Sequence, residues 1–323
     1  MAPVQKLQFT TLDVFTQERY SGNQLAVVRV PPSSELTQKQ KQAIAKEFNY
    51  SETVILHENE EGDDRPEWTI NIFVTNAEIP FAGHPTIGTA CLIASAMKGG
   101  NDQTRREGVL KTKAGPVSFS YCPSENEAEL AIPHDVLVHP VSFTQELAEQ
   151  HGIPPQVVKS MTEACPAAPI VSIVKGMTFC LLELASLDDL GLLEPNLKEA
   201  NNIEGLNKEW QGLVGMMFFV RQGKGADGES KLRTRMMIGS LEDAATGSAS
   251  AALAAYLAVH DPKREDTQKG VYHVTFEQGV EMGRRSVIMV EVQGDHASKK
   301  IEKVILKGSA VEVMEGSLIV PSA

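Results

Sequence analysis

The chain is poor in the residues and spacings that usually announce a function. Only four cysteines stand in 323 residues. They are Cys91, Cys122, Cys165 and Cys180, and none forms a CxxC or a metal-ligand spacing, so they read as reduced thiols in or near the core of a cytoplasmic protein. The eight histidines form no HExxH or similar cluster, and no metal site is expected. Neither GxxxxGK[ST] nor GxGxxG occurs, which leaves a bound nucleotide without support. Positive charge is also short: 30 Lys and Arg stand against 42 Asp and Glu, a net charge of −12. Such a surface repels nucleic acid and anionic membranes, so neither is expected as a partner. No apolar stretch reaches the roughly 20 residues of a membrane span. The opening MAPVQKLQFTTLDVF alternates like a strand and has no apolar run of the kind a secretory leader needs.

What remains is a globular composition, 42% hydrophobic and 22% charged, long enough for one large or two medium domains. Strand-like alternation appears in KLQFTTLDVF, QLAVVRV, ETVIL and WTINIFV, the last placing Trp68, Ile70, Ile72 and Val74 on one face. Between the second and third lies SSELTQKQKQAIAKEFN. This predicts a surface helix with Leu36, Ala43, Ile44 and Phe48 near one stripe and Ser34 as its N-cap. FAGHPTIGTACLIASA follows, then a hairpin-like GVLKTKAGPVSFSY around Gly115-Pro116.

The second half repeats this order. APIVSIVKGMTFCLLEL reads as two strands about Gly176, LDDLGLLEPNLKEANN as helix, and LVGMMFFVRQ and KLRTRMMIG as strands. LEDAATGSASAALAAYLAVH is a second alanine-rich helix. VYHVTFEQG and SVIMVEVQG return to strand, and KVILKGSAVEVMEGSLIV is expected to close the chain as a hairpin. Two lobes of one plan are therefore expected, the first covering 1–118 and completed by the chain end near 311–323, the second covering 119–310. The hairpin-linked strands and few helices point to an α+β fold with mostly antiparallel lobes, and the small residues let each helix sit inside a curved sheet. A ligand cleft is expected where two such lobes face each other.

The bodies of the two helices explain themselves as core, but their entrances are polar and glycine-rich. A helix N-terminus leaves about four N–H groups unpaired and carries roughly half a positive charge. Two such ends at one cleft would hold a carboxylate or an enolate oxygen. The first offers Gly83, His84, Thr86, Gly88 and Thr89, the second Asp243, Thr246, Gly247 and Ser248. For Asp243, helix capping and catalysis are equally open; for His84, a buried structural histidine is the alternative. A third element is Glu52, opening an apolar strand after Asn49 and Ser51. Exposed, it is an ordinary surface acid. Facing an apolar cleft, its pKa rises toward neutral and it can take and return a proton.

DVFTQERYSGNQLAVV, FNYSETVIL, PFAGHPTIGTA, LEDAATGSASAALAAYL and FEQGVEMGRRS together resemble the successive motifs of the phenazine-biosynthesis-like (PhzF-like) family. That family is related to diaminopimelate epimerase and proline racemase. The resemblance runs from about Leu7 to Ile319. It implies two pseudo-symmetric lobes, each a barrel-like sheet curled around its alanine-rich helix as in the diaminopimelate epimerase-like fold, and cofactor-free proton transfer in the cleft, an isomerisation whose best-known case moves a proton within a cyclohexadiene amino acid. It implies Glu52 as general acid/base, His84 and Asp243 as orienting and assisting groups, and Gly83, Thr86, Gly247 and Ser248 at the substrate, together with a homodimer. Racemases of the wider superfamily place a cysteine at each helix entrance, here matched to Gly83 and Asp243. None of the four cysteines stands there, which argues against a two-cysteine racemase. The sequence departs from the family pattern at Gly22-Asn23-Gln24, where GNP is usual, at Glu242-Asp243-Ala244-Ala245-Thr246, where EDPAT is usual, and at Val74-Thr75-Asn76, where FTP is usual. These changes remove no acid or base and bear on substrate more than on reaction type. The alternatives are a ligand- or partner-binding protein on the same scaffold, and an amino-acid racemase or epimerase using Glu52 or Asp243 with another base.

Overall fold

The computed structural model describes residues 5–62, 65–97, 104–200, 203–210, 212–261, 263, 270–295 and 297–322. Asp63 and Asp64 of the loop HENEEGDDRPE, and Asn201 and Asn202 of the expected second surface helix, lie outside the described residues. The chain divides into unit 1, Met1–Ala131 with Lys307–Ala323, and unit 2, Ile132–Leu306. The position 118/119, where the sequence suggested a break, falls inside a strand.

Unit 1 contains β1 (Lys6–Val14), β2 (Asn23–Val30), α1 (Gln38–Phe48), β3 (Glu52–His57), β4 (Glu67–Phe73), β5 (Glu78–Ile79), α2 (Gly83–Ala96), β6 (Arg106–Thr112), β7 (Gly115–Cys122) and β8 (Glu127–Ala131). Unit 2 contains β9 (Leu137–Phe143), α3 (Gln145–Gln150), α4 (Pro155–Ala164), β10 (Ala168–Val174), β11 (Met177–Glu183), α5 (Leu187–Gly191), β12 (Leu213–Lys224), β13 (Ser230–Ile238), β14 (Leu241–Asp243), α6 (Gly247–His260), β15 (Gly270–Gln278) and β16 (Ser286–Asp295). β17 (Lys300–Ile319) starts in unit 2 and, from Lys307 on, belongs to unit 1.

In unit 1 the strands pair in the order β17, β1, β2, β3, β4, β6, β7, β8, and β8 returns to β17, closing an eight-stranded barrel. Two pairings are parallel, β2 with β3 across α1 and β4 with β6 across α2. Unit 2 pairs β9, β10, β11, β12, β13, β15 and β16 in that order, and again two pairings are parallel, β11 with β12 and β13 with β15. The repeat read from the sequence is thus present in the hydrogen-bonding plan. β5 on β4 and β14 on β13 are matched short strands that feed the two alanine-rich helices.

α2 packs against β1, β2, β3, β6, β7 and β8, and every residue from Gly83 to Ala94 is buried. Small side chains let barrel strands approach this helix from all sides. Gly88 shows the limit: a Cβ there would lie 2.6 Å from Leu25 Cδ2 and 2.7 Å from Val14 Cγ2. This glycine serves packing against β1 and β2 rather than a ligand at the helix entrance. α6 is its counterpart in unit 2, packed on β10, β11, β15 and β16.

Three expectations are corrected. The first surface helix starts at Thr37, not Ser34. Thr37 accepts from Gln40 N while Gln40 accepts from Thr37 N, a reciprocal capping box. The second surface helix is only α5, five residues long, stopped by Gly191 and the approach of Pro195. The closing segment is no hairpin but the single strand β17. Its Gly308 accommodates the Phe15 ring, which would lie 2.3 Å from a Cβ at that position. Among the described residues no helix is long and apolar enough to cross a membrane.

Candidate active site

In unit 1, α1 ends at Asn49, whose φ of 54° places it in the left-handed region and whose N–H returns to Ala45 O. That sharp stop lets β3 begin at Glu52, in parallel register with Leu25 of β2. The following residues Thr53 to Leu56 are buried, so the carboxyl stands on the rim of the barrel core. It is largely buried itself, with a side-chain exposure of 17%. Burial pushes its pKa up from 4.5 to about 7, against the pull of the Ser51 hydroxyl hydrogen bond. The Ser51 hydroxyl also lies 3.4 Å from Asn23 Oδ1, a second acceptor for its one proton. The surface-acid alternative for Glu52 is therefore not what the fold realises.

His84 is the second residue of α2 and is 3% exposed; its Nδ1 lies 3.6 Å from Glu52 Oε2. Pro85 follows it at a position where the missing N–H is no loss to the helix. Gly83 opens the helix after Ala82, which caps it with no side-chain hydrogen bond. Thr86 is fully buried and its hydroxyl donates back to Ala82 O at 2.7 Å, so that donor is held within the helix. Structure thus brings Glu52, His84 and Gly83 together at one end of α2, with Thr86 supporting the turn beneath them.

In unit 2, Asp243 ends β14, opposite Met236 of β13. The residue at the N-cap of α6 is Thr246, not Asp243; the Asp243 carboxylate accepts the Thr246 hydroxyl at 2.7 Å. Gly247 and Ser248 are the first two residues of α6, both buried. Because α2 begins at Gly83 and α6 at Gly247, the residues that match at the two entrances are Ala82 and Thr246. Asp243 lies four residues before the first residue of α6, at the place of Ile79 before α2 in unit 1.

Two residues that carry this arrangement were not singled out from sequence. Arg235 is 4% exposed and grips Glu242, the neighbour of Asp243, with both Nε and Nη2 at 2.7 Å, while Nη1 donates to Leu190 O and Leu193 O. Since side chains alternate along a strand, holding Glu242 on one face turns Asp243 to the other. Gln278, fully buried, donates to Asp243 O at 2.8 Å and bonds Thr246 twice. The FEQG stretch carried a signal, a polar residue inside an apolar strand followed by glycine, but no partner was visible in sequence. All four cysteines are free; Cys91 and Cys180 are buried, and burial pushes both thiols up, that of Cys91 to about 12.

The family model of the phenazine biosynthesis-like proteins matches residues 12–316. The chain belongs to the phenazine biosynthesis-like family. Among family relatives, an uncharacterized isomerase of Mesorhizobium japonicum is 29% identical, covering 98% of this chain and 100% of its own. A trans-2,3-dihydro-3-hydroxyanthranilate isomerase of Pseudomonas fluorescens is 28% identical over 96% of this chain and 99% of its own. The crystal structure of a Bacillus anthracis phenazine biosynthesis protein of the PhzF family superimposes with a TM-score of 0.74 at 21% identity, covering 98% of this chain and 100% of that one. The fold is accordingly that of the family, and both of these sequence relatives bear isomerase names.

Proposed function

We propose that this member of the family is an isomerase that moves a proton between two carbons of a small carboxylate-bearing substrate, without a cofactor, using Glu52 as general acid/base. The observation that carries the reading is the Glu52 carboxyl, held near neutrality by burial and 3.6 Å from His84. A carboxyl with a pKa of about 7 is close to ideal for a group that must both take and give a proton at physiological pH. In the proposed step the Glu52 carboxylate removes a proton from one substrate carbon. The electron pair passes into the conjugated system, and the same carboxyl returns the proton to a second carbon. Shielding from water keeps that proton from exchange between the two events. His84 orients the substrate and bears part of the shifting charge.

The reading asks the entrances of α2 and α6 to bind the substrate's polar groups, through Gly83 with Thr86 behind it and through Gly247 and Ser248, with Asp243 assisting from unit 2. It also takes the protein to be a cytoplasmic homodimer; a mass of one chain at all concentrations in solution scattering would overturn the dimer.

The test uses trans-2,3-dihydro-3-hydroxyanthranilate, the compound named for the Pseudomonas relatives, incubated with the protein and its Glu52→Gln variant in deuterated water. The expected outcome is conversion by the parent protein, with little deuterium at the newly protonated carbon, and loss of conversion in a folded Glu52→Gln. Conversion at parental rate by that variant would remove Glu52 from the chemistry. Deuterium gained at a stereocentre of recovered substrate would replace the isomerase by an epimerase.

A further inference from the structure

FEQG, residues 276–279, is a motif that the reaction just described does not use. It forms the end of β15 and the turn to β16. Gln278 has no exposed surface, yet its amide is placed against the segment between β14 and α6. Nε2 donates to Asp243 O at 2.8 Å and to Thr246 Oγ1 at 3.1 Å, while Oε1 accepts Thr246 N at 3.3 Å. Thr246 Oγ1, so held, donates to Asp243 Oδ2 at 2.7 Å. The next residue, Gly279, has a φ of 72°, and a Cβ there would lie 2.6 Å from Ala244 O. Only glycine lets this turn settle on that carbonyl. The neighbouring Glu277 points to the other face of β15, where Arg233 and Arg285 bond it, and so stands apart from the amide.

Unit 1 supplies the internal control. There the turn between β6 and β7 also docks on the segment before the buried helix, but by a backbone bond, Ala114 N to Pro80 O at 3.1 Å. At the place of Asp243, unit 1 has Ile79. An amide side chain therefore enters the turn in the unit that carries a carboxylate there.

We infer that Gln278 is a positioning residue for the reaction proposed above: it fixes Thr246, and through Thr246 the orientation of the Asp243 carboxylate at the entrance of α6. The inference rests on the proposed role of Asp243. A buried amide that satisfies a backbone N–H, a backbone carbonyl and a hydroxyl at once has no equally good replacement, because any apolar substitute leaves those groups unpaired.

The test compares Gln278→Met, Gln278→Glu and Asp243→Asn, using trans-2,3-dihydro-3-hydroxyanthranilate as substrate and amide hydrogen exchange as a readout independent of turnover. In Gln278→Met the Thr246 N–H is expected to exchange at least tenfold faster, and kcat to fall at least tenfold with KM within about twofold of the parent. The Gln278→Glu carboxyl, when protonated, reproduces one of the amide's two donors, toward Asp243 O, and its acceptor toward Thr246 N, but not the donor to Thr246 Oγ1. Its kcat relative to the parent is therefore expected to recover in part as pH is lowered, with KM staying within about twofold, a split that a general loss of folded protein would not produce. Unchanged Thr246 exchange in Gln278→Met overturns the inference. So does parental kcat in that variant alongside an inactive Asp243→Asn. Full turnover by Asp243→Asn overturns instead the role of Asp243, and the inference falls with it.

Discussion

His84 Nδ1 lies 3.6 Å from Glu52 Oε2, and both groups open regular elements: one begins β3, the other stands in the first turn of α2. Rigid elements hold such pairs more tightly than loops do. The short distance and the burial together predict that turnover depends steeply on Glu52. Glu52→Gln keeps the shape and removes the titrating proton. It is expected to lower kcat by about 10²–10⁴-fold with the circular dichroism spectrum unchanged. In the parent, kcat/KM is expected to rise with pH and level off above about 7 if the ionised carboxyl begins the reaction.

The same shift has a consequence for stability, with a definite sign. Glu52 ionises near 4.5 in an unfolded chain and near 7 when folded, so between those values the folded protein binds more protons. Its favourable contribution is complete below about pH 4.5 and is lost as pH rises through 7. Above that pH the buried carboxylate destabilises the fold by up to about 3 kcal/mol. Glu52→Gln should therefore be more stable than the parent at pH 8 and about equal to it at pH 4.5, as measured by urea denaturation. Equal stability at pH 8 would mean that the carboxyl is not desolvated.

What sequence reading could reach is set by whether the cause was local. Glu52, His84 and Asp243 stand in compact motifs, and the repeat of short strand, polar turn and alanine-rich helix is written in composition alone. Gln278 and Arg235 were missed because their partners arrive from other elements: Asp243 and Thr246 for one, the Leu190 and Leu193 carbonyls for the other. β17 was misread for a related reason. The dipeptide Gly308-Ser309 looks like a turn signal, but the glycine is there to admit Phe15, itself held at a φ of 62°. The start of α1 was misplaced by three residues because Ser34 and Thr37 are both competent caps. Only Thr37 has a glutamine three positions on.

Gly88 was read from sequence as part of a ligand-facing entrance, whereas the fold places it against Leu25 and Val14, both fully buried. Gly88→Ala removes a helix-breaking residue, which alone would stabilise α2 by about 1 kcal/mol. The added methyl enters a space already filled, and overpacking of this kind costs about 1–3 kcal/mol. The expected net result is a loss of stability in urea denaturation, larger when the substitution is Gly88→Val. A gain in stability would show that the strands yield and that the glycine answers to something other than packing.

Arg235 and Glu242 form a buried ion pair, with side chains 5% and 6% exposed. Burying both charges carries a desolvation cost that their attraction and hydrogen bonds offset only as long as every partner is present. Arg235→Met leaves the Glu242 carboxylate buried without its cation and strips the donors from two backbone carbonyls, Leu190 O and Leu193 O. The expected cost is about 3–5 kcal/mol. In the double variant Arg235→Met, Glu242→Leu the orphaned charge is gone, and a large part of that loss should return, leaving mainly the two carbonyls unpaired. Urea denaturation of the single and double variants separates the terms. If the double variant is as unstable as Arg235→Met alone, the loss lies in the carbonyls and the packing, and the ion pair is not what holds β14 against β13.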